Sequence, residues 1–429
     1  MSLLTMAIIG MLLLLVLMLL RMPISFAMFI VGFLGLMVVV SPTAAFNVLS
    51  ADLWNQFSSY TMSVIPLYIF MGEIVFRSGV TESLFKAAYK WVGQFRGGMA
   101  STVILASSGF AAICGSNSAT AATMGTMALP ELKKYKYDDT LSSGVVAAGG
   151  TLGVVIPPST VLLVIALQTE QSVRQLFVSS IIPGVILTMT FLAIVFFLCM
   201  RNPELGPAGP RTTFVDKLRS LIGVIPTLAL FVFVIGGLLR GWFTPTESGA
   251  FGAFGALVIA MVMRKLTFAN LKDALAGTLK SATMVITLMI GAMVFGRFLT
   301  ITRLPYDIAA WTGSLDVAPV LILSAILVIF VIGGALMDAL GFLIISIPIF
   351  FPTIIGLGYD PVWFAVVLCM VTTAGAITPP VGVSVFVVKG LTPEIPIMSI
   401  FKGAGYFLAA YAVITVLLIA FPQIVTFML

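Results

Sequence analysis

Gly150-Thr-Leu-Gly153-Val-Val-Ile156-Pro157-Pro158-Ser159 lies inside one apolar stretch, and Gly375-Ala-Ile-Thr378-Pro379-Pro380-Val381-Gly382 lies inside another. A proline pair cannot continue a helix smoothly, because two N–H donors are missing and carbonyls one turn upstream lose their partners. Each pair begins 27 residues after another proline, Pro130 or Pro352. The two stretches are related by a shift of 222, which also aligns Pro23 with Pro245, Tyr137-Asp138 with Tyr359-Asp360, and Gly153 with Gly375. After a two-residue slip, Glu170, Val173, Leu176 and Phe177 face Glu394, Ile397, Ile400 and Phe401. Chance does not align so many punctuating residues, so the chain reads as a duplication over nearly its whole length.

Working outward, 60% of the 429 residues are hydrophobic and 9% are charged, against about 25% charged in an ordinary soluble domain. Water is not the solvent of such a chain. Apolar stretches long enough to cross the ~30 Å hydrocarbon core recur from end to end. The spans expected are 3–20, 24–41, 61–76, 140–166, 180–200, 221–240, 248–263, 281–301, 361–388 and 404–427, with re-entrant hairpins at about 98–129 and 318–351. The first repeat is then 1–200, a polar cytoplasmic linker occupies 201–220, and the second repeat is 221–429. Arg21 follows the first apolar run instead of preceding it, so that run reads as a span and not as a cleaved signal.

Orientation comes from Lys and Arg, which favour the cytoplasmic side. Lys133, Lys134 and Lys136 have no basic counterpart in the corresponding segment Thr353 to Gly358, so equivalent loops belong on opposite faces. With both termini periplasmic, every one of the 22 basic residues falls inside except Arg174, Arg240 and Arg303, which fall outside, and Arg297, which falls within a span. Inverted duplication with interrupted helices is a device of secondary transporters, whose sites lie near the midplane between the repeats. The formal charge of +6 is accounted for by orientation, and nothing points to a nucleic-acid partner.

An enzymatic reading finds little to work with. There is no histidine, and Cys114, Cys199 and Cys369 lie far apart in sequence inside apolar segments. No disulfide framework, metal motif or pair of aspartates in spans appears, so a carrier is expected and not an enzyme.

Residues 107–126 are mostly small or hydroxylated, and Gly115-Ser116-Asn117-Ser118 at their centre suits a turn. Non-helical backbone at membrane depth survives only where protein or a water-filled cavity satisfies it, which predicts a hairpin ending midway. Close packing accounts for Ala119, Ala121 and Ala122 but poorly for Asn117. Carbonyls freed at the proline pairs are hard oxygen ligands for a dehydrated Na⁺, and two matching breaks predict paired ion sites. In the second hairpin Asp338 aligns with Ser116; it either faces a cation or substrate or caps the following half-helix, and both roles are compatible. Arg297 either offers a fork to a substrate carboxylate or snorkels to the outer headgroups. Glu73 and Glu247 sit in apolar surroundings as candidate partners of basic residues, and Glu82 to Trp91 and Phe268 to Lys280 read as interfacial helices lying flat.

Gly115-Ser116-Asn117-Ser118-Ala119-Thr120, Gly153-Val-Val-Ile156-Pro157-Pro158-Ser159 and Gly375-Ala-Ile-Thr378-Pro379-Pro380 resemble the large membrane subunit of the tripartite ATP-independent periplasmic (TRAP) transporters, within the ion transporter superfamily. The resemblance spans essentially the whole chain. It implies an all-α, elevator-type membrane transporter of the bacterial inner membrane, in which two hairpins and two broken helices carry substrate and Na⁺ past a fixed scaffold. It also implies a small membrane subunit (Q-type), a periplasmic substrate-binding protein, and an organic-acid substrate such as a C4-dicarboxylate or, as the first choice, a sialic acid. Two Na⁺ sites carry over onto backbone oxygens around Ala112, Gly115, Gly153 and Ile156, and around Gly334, Gly375, Thr378 and Val381. Substrate carries over to Ser116, Asn117, Ser159, Asp338 and Arg297. The second hairpin departs from the pattern because it lacks the Ser-Asn-Ser tip. An autonomous dicarboxylate or citrate carrier of the same superfamily is the alternative.

Overall fold

A computed structural model describes residues 2–429, so Met1, the first residue of the expected first repeat, lies outside the described residues. Those residues form helices joined by short turns, with no strand among them. Six helices are long and apolar enough to cross a membrane, and up to nine spans result if each sharply bent pair counts as one.

The shift of 222 reappears in the element boundaries. The first hairpin is Gly98–Cys114 and Asn117–Lys134; the second is Pro319–Leu336 and Ala339–Gly356. The first broken helix is Asp139–Val155 and Thr160–Gln168, bent by 41°; the second is Pro361–Gly375 and Val383–Leu391. Local chemistry explains why matching elements start together. Asp138 and Asp360 occupy matching N-caps and accept from the backbone N–H of Leu141 at 3.0 Å and of Trp363 at 2.7 Å, satisfying donors that an open helix end leaves free. Both breaks carry their proline pair, Pro157-Pro158 or Pro379-Pro380.

Hairpins and broken helices pack as one body. The aromatic rings of Phe191, Phe407 and Tyr411 stack edge-on beside it, and the Tyr411 hydroxyl shares a buried 2.7 Å hydrogen bond with Thr151. The two halves interleave, since the Gln168 amide donates to the Ile344 carbonyl at 2.8 Å and the Cys369 thiol lies 3.4 Å from the Val154 carbonyl. A second body gathers Ile24–Val39, Val64–Arg77, Ile225–Leu239, Pro245–Val262 and Phe268–Ile301. It is keyed by Phe298 against Gly10 and Gly35 and by the Ser248 hydroxyl donating to the Val234 carbonyl at 3.1 Å.

Three expected boundaries are corrected. Phe268 to Lys280 is not a separate flat helix: Phe268–Ile301 is one 34-residue helix, about 51 Å long at 1.5 Å per residue, because nothing between its Thr267 cap and Ile301 breaks it. Between the second and third expected spans, where no element was expected, lies the helix Pro42–Ser58, started by the Ser41 cap and Pro42. It meets the following helix, which ends at Arg77, at 57°. The span expected at 180–200 begins earlier, at Val173, where the Ser172 hydroxyl caps it. The helix Val80–Val92 does stand alone, with Glu82 and Lys86 paired at 2.6 Å on its exposed side. Trp54, Tyr60, Trp242, Tyr306 and Trp311 are all more than 60% exposed, and all fall in segments read as outer, as an interfacial aromatic belt would.

Candidate functional site

A cavity of about 450 Å³ lies between the two bodies. Ser116, Asn117 and Ser118 of the first hairpin tip, Thr160 and Val161 after the first break, and Asp338 to Leu340 of the second tip line one side. Glu73, Phe76 and Ser281 of the other body line the opposite side. Gly72 lies against the Ile113 and Cys114 carbonyls, so the helix carrying Glu73 abuts the tip.

Three helix N-termini therefore open onto one space. Ser116 caps the helix from Asn117, accepting from Ala119 N–H at 3.5 Å; Ser159 caps the helix from Thr160, accepting from Leu162 N–H at 3.2 Å; Asp338 caps the helix from Ala339, accepting from Leu340 N–H at 3.1 Å. At the two hydroxyl-capped ends, backbone N–H groups beyond the caps and the positive end of the helix dipole favour an anion, while Asp338 supplies its own at the third. Asn117 is 7% exposed, and its Oδ1 has no hydrogen-bond partner.

Of the residues expected to meet substrate, Ser116, Asn117 and Asp338 line the cavity, while Ser159 is buried behind it as a cap. Arg297 is placed elsewhere. Its guanidinium grips the Asp52 carboxylate in a two-pronged pair, at 3.0 and 3.1 Å. It neither lines the cavity nor reaches freely for headgroups, because a nearly buried carboxylate already holds it. Glu73 has the basic partner expected of it, Arg77 at 3.4 Å, and Arg77 also lies 3.6 Å from Asp273. Glu247 does not: it forms a capping box with Thr244, accepting from its backbone N–H at 2.8 Å and its hydroxyl at 2.9 Å. That Glu73 faces the cavity is the functional placement sequence reasoning missed.

The glycines expected to surround cations lie at two backbone-close contacts, one in each half. A Cβ at Gly153 would meet Thr120 Oγ1 at 2.6 Å and crowd the Ser116 carbonyl. In the second half a Cβ at Gly375 would come within 2.6 Å of Gly334 Cα, and Gly334 itself lies against the Thr372 carbonyl. In the first half the hairpin tip and the start of its second arm thus touch Gly153, while Gly115 lies against Pro158 to Thr160 beyond the break; in the second half Gly334 and Ala335 touch Gly375, and the Ala335 carbonyl accepts from Val381 N–H at 3.1 Å. Pro157 denies the Gly153 carbonyl its helical donor. Some oxygens are occupied: Gly115 O accepts from the Thr160 hydroxyl at 2.7 Å, and Gly375 O accepts from Thr378 N–H at 3.0 Å. A donor set dominated by backbone oxygen at two helix C-termini fits a hard monovalent cation, whereas no group of His, Cys, Asp and Glu among the described residues fits a transition metal. Beyond Phe76, Ala122 and Thr123 the cavity adjoins a second space of about 700 Å³ lined by Glu82, Lys86 and Glu131.

Comparison with known proteins gives this geometry a family. The pattern of "Tripartite ATP-independent periplasmic transporter, DctM component" matches residues 11–424. The chain belongs to this family. Family membership makes it a multi-pass transporter permease and not an enzyme. It is 34% identical over 80% of its length to the C4-dicarboxylate TRAP transporter large permease protein DctM of Pseudomonas aeruginosa, of which it covers 80%. It is 26% identical over 94% of its length to the sialic acid TRAP transporter large permease protein SiaM of Vibrio cholerae, of which it covers 93%. In three dimensions it is similar to the YdaH transporter of Alcanivorax borkumensis, with a TM-score of 0.64 at 17% identity over 89% of this chain and 90% of that one. That likeness concerns the fold alone.

Proposed function

We propose that this permease takes up a small organic acid across the bacterial inner membrane by Na⁺-coupled symport, receiving it from a periplasmic binding protein and working with a small membrane subunit. The observation that carries the reading is the meeting of three helix N-termini at one cavity, beside two places where hairpin and broken-helix ends pack backbone to backbone. The two N-termini capped by serine hydroxyls suit a carboxylate. Carbonyls around Ala112, Gly115, Gly153 and Ile156, and around Gly334, Gly375, Thr378 and Val381, would hold the cations, whose gradient supplies the driving force. Separate packing of the two bodies supports an elevator, with the body holding both hairpins as the moving part. Continuity of the cavity toward Lys86, on the expected cytoplasmic side, supports an inward-facing arrangement, and both termini are then periplasmic.

Radiolabelled uptake into proteoliposomes, with and without a Na⁺ gradient and a periplasmic extract, tests the proposal. Sialic acid is the first candidate substrate and succinate the second. Uptake that needs both Na⁺ and extract is expected. Uptake by this chain alone would instead favour the autonomous carrier of the wider superfamily, and flux indifferent to Na⁺ would overturn the coupling.

A further inference from the structure

The polar groups around the cavity are unevenly signed. Two carboxylates line it, those of Glu73 and Asp338, and no lysine or arginine does. Arg77, the basic residue bound to Glu73, is itself shared with Asp273 and is absent from the cavity wall. Positive potential comes instead from the helices starting at Asn117 and Thr160, where hydroxyls and not carboxylates cap the ends. The third N-terminus carries Asp338 as its cap, which offsets its own dipole.

Glu73 is a built feature of the wall. Gly277 faces it so closely that a Cβ there would stand 2.7 Å from its carboxyl carbon, while Arg77 fixes the other side. Its carboxylate is thus held in place on a wall that faces Asn117, whose Oδ1 is buried without a hydrogen-bond partner at the cavity's edge. Glu73 and Asp338 each have one protein donor, Arg77 and the Leu340 N–H, and keep acceptor capacity beyond it, while Asn117 Oδ1 has no donor at all. A ligand with one carboxylate and donors elsewhere satisfies both ends of the cavity. A second carboxylate would meet the Glu73 and Asp338 carboxyls with no lysine or arginine on the wall to offset it, an arrangement that disfavours like charge.

We propose that Glu73 is a specificity-determining residue that selects acids bearing a hydroxyl or ammonium donor at the end remote from the carboxylate, and rejects dicarboxylates. This deepens the transport reading above and rests on it. The probes are 4-aminobutyrate and succinate, which share a chain length and differ in whether the far end is ammonium or carboxylate, with N-acetylneuraminate and gluconate as hydroxylated monocarboxylates. Binding is measured on the purified full-length protein in Na⁺ by ligand-dependent thermal stabilisation. At least one donor-bearing acid is expected to bind tenfold or more tightly than succinate, and Glu73→Gln is expected to shrink that ratio about tenfold, chiefly by improving succinate binding. Succinate binding as well as the best donor-bearing acid in the unmodified protein overturns the proposal without recourse to any variant, as does an unchanged ratio in folded Glu73→Gln. Succinate-selective binding leaves organic-acid transport standing while removing the role of Glu73. Failure of every acid to bind, with Na⁺ or without, removes the transport reading and this inference with it.

Discussion

Replacing Gly375 by alanine adds one methyl group at the point where the second hairpin touches the second broken helix. That methyl would sit 2.6 Å from Gly334 Cα and nearer still to the Gly334 carbonyl carbon and the Ala335 nitrogen. Relaxed carbon contacts are about 3.5–4.0 Å, so the two helix ends must part by roughly an ångström. All the opposing atoms are backbone, so no side chain can swing aside. Overpacking of this kind costs about 1–3 kcal/mol, which a folded membrane protein can survive. A cation site tolerates about 0.2 Å in its ligand distances, far less than that displacement. Gly375→Ala is therefore expected to raise the Na⁺ concentration for half-maximal uptake at least tenfold, equivalent to about 1.4 kcal/mol. The assay is uptake titrated against Na⁺, with Gly390→Ala as control because a Cβ there meets nothing within 4 Å. A Na⁺ dependence in folded Gly375→Ala matching the control would refute the idea that these helix ends share an ion.

Further outcomes are expected elsewhere. Arg297→Ala should leave the uptake KM within about twofold while lowering the melting temperature, since Arg297 braces Asp52 and lies off the cavity wall; a large rise in KM would return it to the substrate. A double-mutant cycle of Asp52→Ala with Arg297→Ala should give a coupling of about 1 kcal/mol, kept modest because the guanidinium is 57% exposed. Coupling indistinguishable from zero would make the pair incidental. Cysteines introduced by Lys134→Cys and Gly356→Cys, at matching ends of the two hairpins, should label from opposite sides of the membrane in intact cells and inverted vesicles; labelling from the same side would remove the inverted arrangement.

Sequence alone carried the reader a long way where backbone chemistry is punctuated. Pro157-Pro158 and Pro379-Pro380 announce interrupted helices wherever they stand, and the Gly115-to-Ser118 turn marks a tip, because proline and small polar residues limit the local backbone whatever surrounds them. The helix Pro42–Ser58 was also signalled, by serine then proline at its start, but it is too polar to read as a span. Lys272 and Lys280 made Phe268 to Lys280 look like a surface helix, although charges on an exposed side do not end a helix that continues. Asp52 and Arg297 stand 245 residues apart, and Glu73 faces the first hairpin tip only after two bodies dock. No spacing rule reaches such contacts, since they depend on how finished helices pack.

The bend after Ser58 has its own consequence. Its duplicate, Phe268–Ile301, is one uninterrupted helix, so one ancestral template now exists both broken and whole. Perfect mirror copies would give a carrier two resting poses of identical energy, equally ready to load from either side. A bend in one copy and none in the other removes that degeneracy, so the empty protein should favour one pose, and the cost of leaving it must be met anew in every cycle.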